Sequence, residues 1–403
     1  MARCLIFALT VCLALASVVP AQTLTTVLDN GASSNRVDMI FVGDGYQDFE
    51  IETTYAGHVD NTLGAFFNPG ISPFPRYQNF FNAHRVNVIS NESGADDPVN
   101  NIFVDTALDA SYNMGGIDRC LYFSTSKANA AVTTALSGTG IDIDMRLGSV
   151  NSEKYGGCGG QWAVWSAGNS AALDIAIHEV GHSFANLADE YFYNGDTWGG
   201  GEPGEVNVTS DPALGKWDRW LGYTDPDSDI GVIDYYEGAR YYDFGLYRPS
   251  DNSMMRALGR PFDAISRERF IDEIYEEVDP LDDWQSEGPT YTSGDVLWVD
   301  SVDPSVINVE WFVDGVSVGL LGESVTVDSL GLSNGTFTVE AFAYDSILDH
   351  SFSGDSLDWW RLADTTPLEQ TVTWSVFMSV PEPVTAPLLG VFMITMALGR
   401  RRK

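Results

Sequence analysis

Along residues 22–278 the spacing of apolar positions changes repeatedly. Short runs that are apolar throughout, or alternate with polar positions, are separated by stretches with apolar residues three to four apart. Met39-Ile40-Phe41-Val42 and Val86-Asn87-Val88-Ile89 read as strands, whereas residues 49–67, 128–136, 170–187 and 267–277 read as helices. Such alternation predicts an α/β (α+β) domain.

After Glu287-Gly288-Pro289 the helical period disappears. Val296-Leu297-Trp298-Val299 and residues 306–313, 324–327 and 336–344 are short β-rich runs with Asp314-Gly315 and Asn334-Gly335 as turn signals. This texture predicts an all-β, immunoglobulin-like sandwich over residues 279–378, following a catalytic domain over residues 22–278. The second domain carries no catalytic constellation, which leaves it spacing or contact with substrate and surface.

Both ends are addresses rather than fold. Arg3 precedes an apolar run over residues 5–19, and Val19-Pro20-Ala21 offers small residues for cleavage, so residues 1–21 read as a signal peptide and the chain as exported. Over residues 379–403, Pro381-Glu382-Pro383 leads into an apolar stretch at 388–398 and then Arg400-Arg401-Arg402-Lys403. The order resembles a PEP-CTERM sorting tail, which implies transient insertion into an inner membrane, an exosortase-type machinery as partner, and a final place outside the cell or in its envelope. A plain C-terminal anchor is the simpler alternative, although the stretch is shorter than the ~20 residues a stable span prefers.

A net charge of −36 repels nucleic acid and anionic membranes. The acidic clusters Asp96-Asp97 and 225–229 suit a hard cation such as calcium, or are simply a solvated acidic surface. Cys120 and Cys158 are the only cysteines beyond the signal peptide, and an oxidising compartment would let them pair if the fold brings them together.

The chemistry concentrates in His178-Glu179-Val180-Gly181-His182, inside an apolar stretch that Asn169 or Ser170 can cap. Histidines four apart share a helical face and can reach one Zn2+, while Glu179 stands beside the first as general base. Only His58, His84 and His350 remain, none within the motif, so a carboxylate from Ala188-Asp189-Glu190-Tyr191 is the candidate third ligand, either Asp189 or Glu190.

His178 to Tyr191 (HEVGHSFANLADEY) resembles the IgA-peptidase family of secreted bacterial zinc metallopeptidases, within the metzincin-like group. Other segments share the likeness: Gly43-Asp44-Gly45-Tyr46, Ser90-Asn91-Glu92-Ser93-Gly94-Ala95-Asp96, Tyr155-Gly156-Gly157, Glu202-Pro203, Asn207-Val208-Thr209, Tyr247-Arg248-Pro249 and Ser253-Met254-Met255-Arg256. The match runs over about residues 35–275. It implies a zincin fold and a zinc endopeptidase that hydrolyses internal bonds of a protein or peptide substrate. The metzincin spacing favours Asp189, three residues beyond Asn186, and makes Met254-Met255 the methionine turn beneath the metal.

Tyr155-Gly156-Gly157 then becomes an edge strand for substrate, or merely a glycine-rich loop, and Tyr242 or Tyr247 a donor to the oxyanion, or merely packing. The chain departs from its relatives in lacking the helix-breaking glycine, with Ala185 and Asn186 in its place, and in having Ser253 and Asp263 where cysteines often stand. The competing reading is an envelope-attached binding or adhesion protein whose peptidase fold gives no useful turnover. A zinc hydrolase of non-peptide amides is a third.

Overall fold

The computed structural model describes residues 22–193, 195–226, 229–348 and 357–379. The expected signal peptide and nearly all of the expected sorting tail lie outside these residues. No helix among the described residues is long and apolar enough to cross a membrane.

Two compact units are present, and they are interleaved along the chain rather than divided by one boundary after residue 278. Among the described residues, the first comprises 22–283, Asp300–Asn308 and the part of 343–370 that is described, and the second the segments between them with 371–379. Asp345 gives a reason why 343–370 belongs to the first: its buried carboxylate accepts from Arg76 Nη2 (2.6 Å), Tyr77 Oη (2.6 Å) and Tyr275 Oη (2.7 Å).

In the first unit, β1 (Thr23–Leu28), β2 (Val37–Asp44), β3 (Phe81–Asn87), β4 (Met145–Val150), β5 (Gly157–Cys158) and β6 (Ala163–Ser166) form one sheet in the order β1-β3-β2-β4-β6-β5. The four inner strands are parallel, and β1 and β5 run antiparallel at the two edges. All of β2 and β3 is buried, as strands covered on both faces should be.

Helical turns α1 (Asp48–Glu50) and Ile51–Tyr55 continue into α2 (Ala56–Phe66), the latter beside α4 (Ala172–Ser183). Ile40, Val42, Val86 and Val164 pack with Ala128, Ala131 and Val132 of α3 (Thr125–Leu136). The alternate residue Phe41 meets Trp165 edge-on at 6.4 Å.

Beyond α4 the chain is mostly loop, apart from a hairpin of β7 (Tyr236–Ala239) and β8 (Tyr242–Arg248) and then α5 (Ala264–Glu277), whose N-cap Asp263 accepts from Ser266 N at 2.9 Å.

The second unit holds most of the remaining strands. A three-stranded sheet runs β14-β11-β9, with β9 (Leu281–Trp284), β11 (Val296–Ser301) and β14 (Ser324–Thr326); β9 itself falls largely in the first unit. A five-stranded sheet runs β10-β16-β15-β12-β13, with β10 (Thr290–Tyr291), β12 (Ile307–Val313), β13 (Val316–Leu321), β15 (Gly335–Asp345) and β16 (Glu369–Met378). Alternation in β16 buries Val372, Trp374, Val376 and Met378, and Trp374 stacks on Trp311 at 5.6 Å. Asp314 and Gly315 both take positive φ between β12 and β13, the turn their dipeptide signals.

Candidate active site

Helix α4 is apolar because every residue from Ile175 to Gly181 is buried. Its N-terminus has no side-chain cap on the first turn; Asn169 Oδ1 instead accepts from Ala171 N at 2.9 Å. At the other end Asn186 takes φ +49°, and Leu187 N returns to Gly181 O at 2.8 Å. A left-handed residue here reverses the chain without a glycine, since Asn tolerates that region better than most side chains. The reversal brings Asp189 back over the helix.

Three donor atoms then converge. His178 Nε2 lies 3.1 Å from Asp189 Oδ1, His182 Nε2 lies 3.3 Å from the same oxygen, and the two imidazole nitrogens are 3.2 Å apart. The outer ring nitrogens face carbonyls, His178 Nδ1 meeting Met254 O at 3.0 Å and His182 Nδ1 meeting Leu187 O at 2.7 Å. A carbonyl only accepts, so each Nδ1 carries a proton, and Nε2 is the atom that each ring turns toward the centre. Among the described residues this is the one group of three or more ligand-type side chains that could hold a metal.

The electrostatics match a site built around a cation. Burial lowers the pKa of His182, but the hydrogen bond and charge of Asp189 outweigh it and raise it to about 9. Burial likewise raises Asp189, yet hydrogen bonds to both histidines hold its carboxyl far below the usual range. Burial pushes Glu179 upward, only partly offset by the histidines, toward values at which a carboxylate can take a proton and return it.

Glu190 faces elsewhere. Its carboxyl is fully buried, accepting from Ser253 Oγ at 2.6 Å and Asn207 Nδ2 at 3.0 Å, and burial with neighbouring Asp263 raises its pKa. Asp263 is buried beside it, accepting from Ser250 Oγ and Ser266 N at 2.9 Å each. Met254 and Met255 are both fully buried. A Cβ on Gly181 would lie 2.5 Å from Met255 Sδ, so the small residue inside the motif lets the methionine reach the helix between the two histidines.

The cleft above these groups has a volume of about 790 Å³. Edge strand β5 borders it: a Cβ on Gly159, just past the strand, would lie 2.7 Å from His182 Cβ and 2.9 Å from Glu179 Oε2. A disulfide between Cys120 and Cys158 fastens that edge to the preceding loop. Tyr155 lines the cleft, whereas Gly156 does not; its carbonyl accepts from Ser166 N at 3.0 Å, inside the sheet.

Neither Tyr242 nor Tyr247 reaches the cleft. Tyr242 packs edge-on against Trp198, and Tyr247 exchanges backbone hydrogen bonds with Thr209. Of the cleft-lining tyrosines, Tyr241 is the one bonded to Asp189 through its phenol. With Arg240 it forms the two-residue turn between β7 and β8, at φ +47° and +73°, a conformation that ordinarily selects Asn or Gly. The turn is docked on the third donor: Arg240 N bonds Asp189 O at 2.9 Å, Tyr241 N bonds Tyr191 O at 3.0 Å, and Tyr241 Oη donates to Asp189 Oδ2.

The sequence model of the IgA Peptidase M64 family matches residues 25–229, just over half of the chain. The chain belongs to the IgA peptidase M64 family. No curated protein matches it. The part of this M64 peptidase that matches contains α4, Asp189 and the cleft-lining loop up to Cys120, while Tyr241, Met254 and Met255 lie beyond it.

The acidic clusters expected to suit calcium have other occupations in this family member. Asp96 Oδ1 accepts from Val104 N at 2.7 Å, Asp97 pairs with Lys154 Nζ at 3.0 Å, Asp225 pairs with Arg267 at 2.6 Å, and Asp229 pairs with Arg260.

Proposed function

We propose that this member of a peptidase family is an exported zinc endopeptidase in which His178, His182 and Asp189 hold the metal and Glu179 is the general base. The observation that carries the reading is the near-equilateral triangle of donor atoms, 3.1, 3.2 and 3.3 Å on a side. Tetrahedral zinc with ligands at 2.0–2.2 Å spaces them about 3.3–3.5 Å apart, so the donors need hardly move to bind it. All three residues line the cleft, so a metal held by them would face substrate there. When bound, zinc supplies a Lewis acid for the scissile carbonyl and draws the pKa of a water toward ~7.

The chain's own groups do the rest. Glu179 takes a proton from the attacking water and returns it to the leaving amine, completing hydrolysis without a covalent enzyme intermediate. Gly157 N already donates to Arg119 O, and the cleft-lining chain just past it, Gly159 and Gly160, offers backbone to an extended peptide. Tyr241 fixes Asp189 through Oδ2, which leaves Oδ1 for the metal. The helix, the turn at Asn186 and the methionine loop fit a metzincin-like plan, and the β-rich unit fits an immunoglobulin-like spacer.

Export is supported by the Cys120–Cys158 disulfide, a bond that persists in oxidising compartments. The C-terminal segment acts in this reading as a sorting signal, and deleting residues 379–403 should release the protein from the cell envelope into the medium on fractionation.

Casein or gelatin hydrolysis by the zinc-loaded wild type and Glu179→Ala tests the enzyme. Wild-type cleavage lost by ~10²–10⁴-fold in the variant, with zinc retained, is the expected result. A zinc-loaded wild type no faster than the variant would leave a binding protein.

A further inference from the structure

Three arginines line the cleft of a chain whose net charge is −36. Two have carboxylate partners: Arg240 Nη1 lies 3.4 Å from Glu205 Oε2, and Arg256 Nη1 lies 3.1 Å from Asp251 Oδ1. Arg119 has none among the described residues. Its side chain is held by phenols instead, Nη2 donating to Tyr193 Oη at 3.0 Å and Tyr191 Oη at 3.3 Å, with the guanidinium carbon 5.7 Å from the centre of the Tyr191 ring. Both hydrogen bonds leave from Nη2, so the rest of the planar fork is available to a ligand.

The main chain under this guanidinium is fixed as well. Arg119 O accepts from Gly157 N of β5 at 3.2 Å, and the next residue, Cys120, is bonded to Cys158 of the same strand. Arg119 therefore stands in register with the edge that borders Glu179. The remaining acids of the cleft are engaged, Asp189 with the histidines and Tyr241, and Glu205 with Arg240.

An exposed arginine whose rotamer is held by neutral groups, beside a reacting centre, is suited to a bidentate carboxylate from outside the chain. Holding it in advance reduces the ordering cost of binding. The negative field of the whole chain is screened beyond about 8 Å at physiological ionic strength, so at contact the local cation decides.

We propose that Arg119 sets the specificity of this cleft and that its substrates are acidic peptides, with an Asp or Glu side chain close to the bond that is cut. The proposal rests on the peptidase reading above.

The test uses the zinc-loaded full chain. A fluorogenic peptide library first gives the preferred acidic sequence, and matched peptides with Glu or Gln at the selected position are then compared. The wild type should favour the Glu peptide by ~10- to 100-fold in kcat/KM, the range expected when a charge-assisted hydrogen bond is removed. That ratio should collapse to about one in Arg119→Ala, survive in part in Arg119→Lys, and invert in Arg119→Glu.

Fluorescence anisotropy of the same two peptides on Glu179→Gln, which binds without turnover, should show the same preference in Kd and its loss when Arg119→Ala is added. Cleavage of the library with no acidic preference, or a preference that Arg119→Ala leaves unchanged, overturns the proposal while the peptidase stands. A library left uncut by the wild type, with no acidic preference in binding to Glu179→Gln, overturns both.

Discussion

Removing one hydroxyl, Tyr241→Phe, should weaken zinc binding without disturbing any zinc ligand. Asp189 divides its two oxygens, Oδ1 to the histidine nitrogens and Oδ2 to the Tyr241 phenol. The carboxylate is 7% exposed, so water is a poor substitute for the lost donor. A hydrogen bond to a charged group contributes about 1.5–3 kcal/mol. Part of that loss is common to the metal-free and metal-bound protein and cancels in the binding constant. What remains should be the ~10- to 100-fold typical of groups that orient a metal ligand, or about 1.4–2.7 kcal/mol.

Phe retains the ring contacts with Tyr191 at 5.3 Å and Tyr193 at 5.9 Å, and it faces the same positive φ as Tyr. Competition titration against a chelator of known affinity gives the zinc Kd of both proteins. Equal values within twofold would refute the orienting role of Tyr241.

Two further outcomes follow from buried groups away from the metal. Burial raises Asp144 to about pH 7, with its hydrogen bond from Asp38 N only partly opposing this and Glu277 adding to it. The folded pKa exceeds the unfolded value near 3.8, so folding takes up a proton and stability falls as pH rises from about 4 to 7. Asp144→Asn should therefore raise Tm at pH 8 by an amount equivalent to about 1–2 kcal/mol, after discount for partial solvent exposure, and change little at pH 4. A gain that is the same at both pH values would contradict the assignment. Replacing Cys120 and Cys158 together with Ser should cost up to about 4 kcal/mol, the chain-entropy value for a closed loop of 38 residues, measurable as a lower denaturation midpoint. Activity should fall with it as the β5 edge loosens, and an unchanged midpoint would show that the bond does not brace the cleft.

What the sequence disclosed depended on how local the relevant geometry is. His178, Glu179 and His182 are set by one helix and could be read from five consecutive residues. The choice between Asp189 and Glu190 depended on the chain reversal at Asn186, which faces one carboxylate to the histidines and the other to Ser253 and Asn207. Tyr241 was missed in favour of Tyr242 and Tyr247 because nothing in Arg240-Tyr241 signals a tight turn; only the pairing of Ala239 with Tyr242 puts both at positive φ and one phenol over Asp189. A glycine-free pair between two short β-prone runs was the one available hint.

Helix positions came through with small shifts, α3 beginning at Thr125 under the Ser124 cap and α5 at Ala264 under Asp263. The interleaving of the two units was not legible, since it rests on contacts such as Asp345 with Arg76 that join residues 269 apart.

The decisive measurement is anomalous X-ray diffraction at the zinc absorption edge on crystals of the purified protein. One strong peak is expected about 2.0–2.2 Å from His178 Nε2, His182 Nε2 and Asp189 Oδ1. No peak between those three atoms, or imidazoles turned apart with zinc held elsewhere, would contradict the zinc assignment.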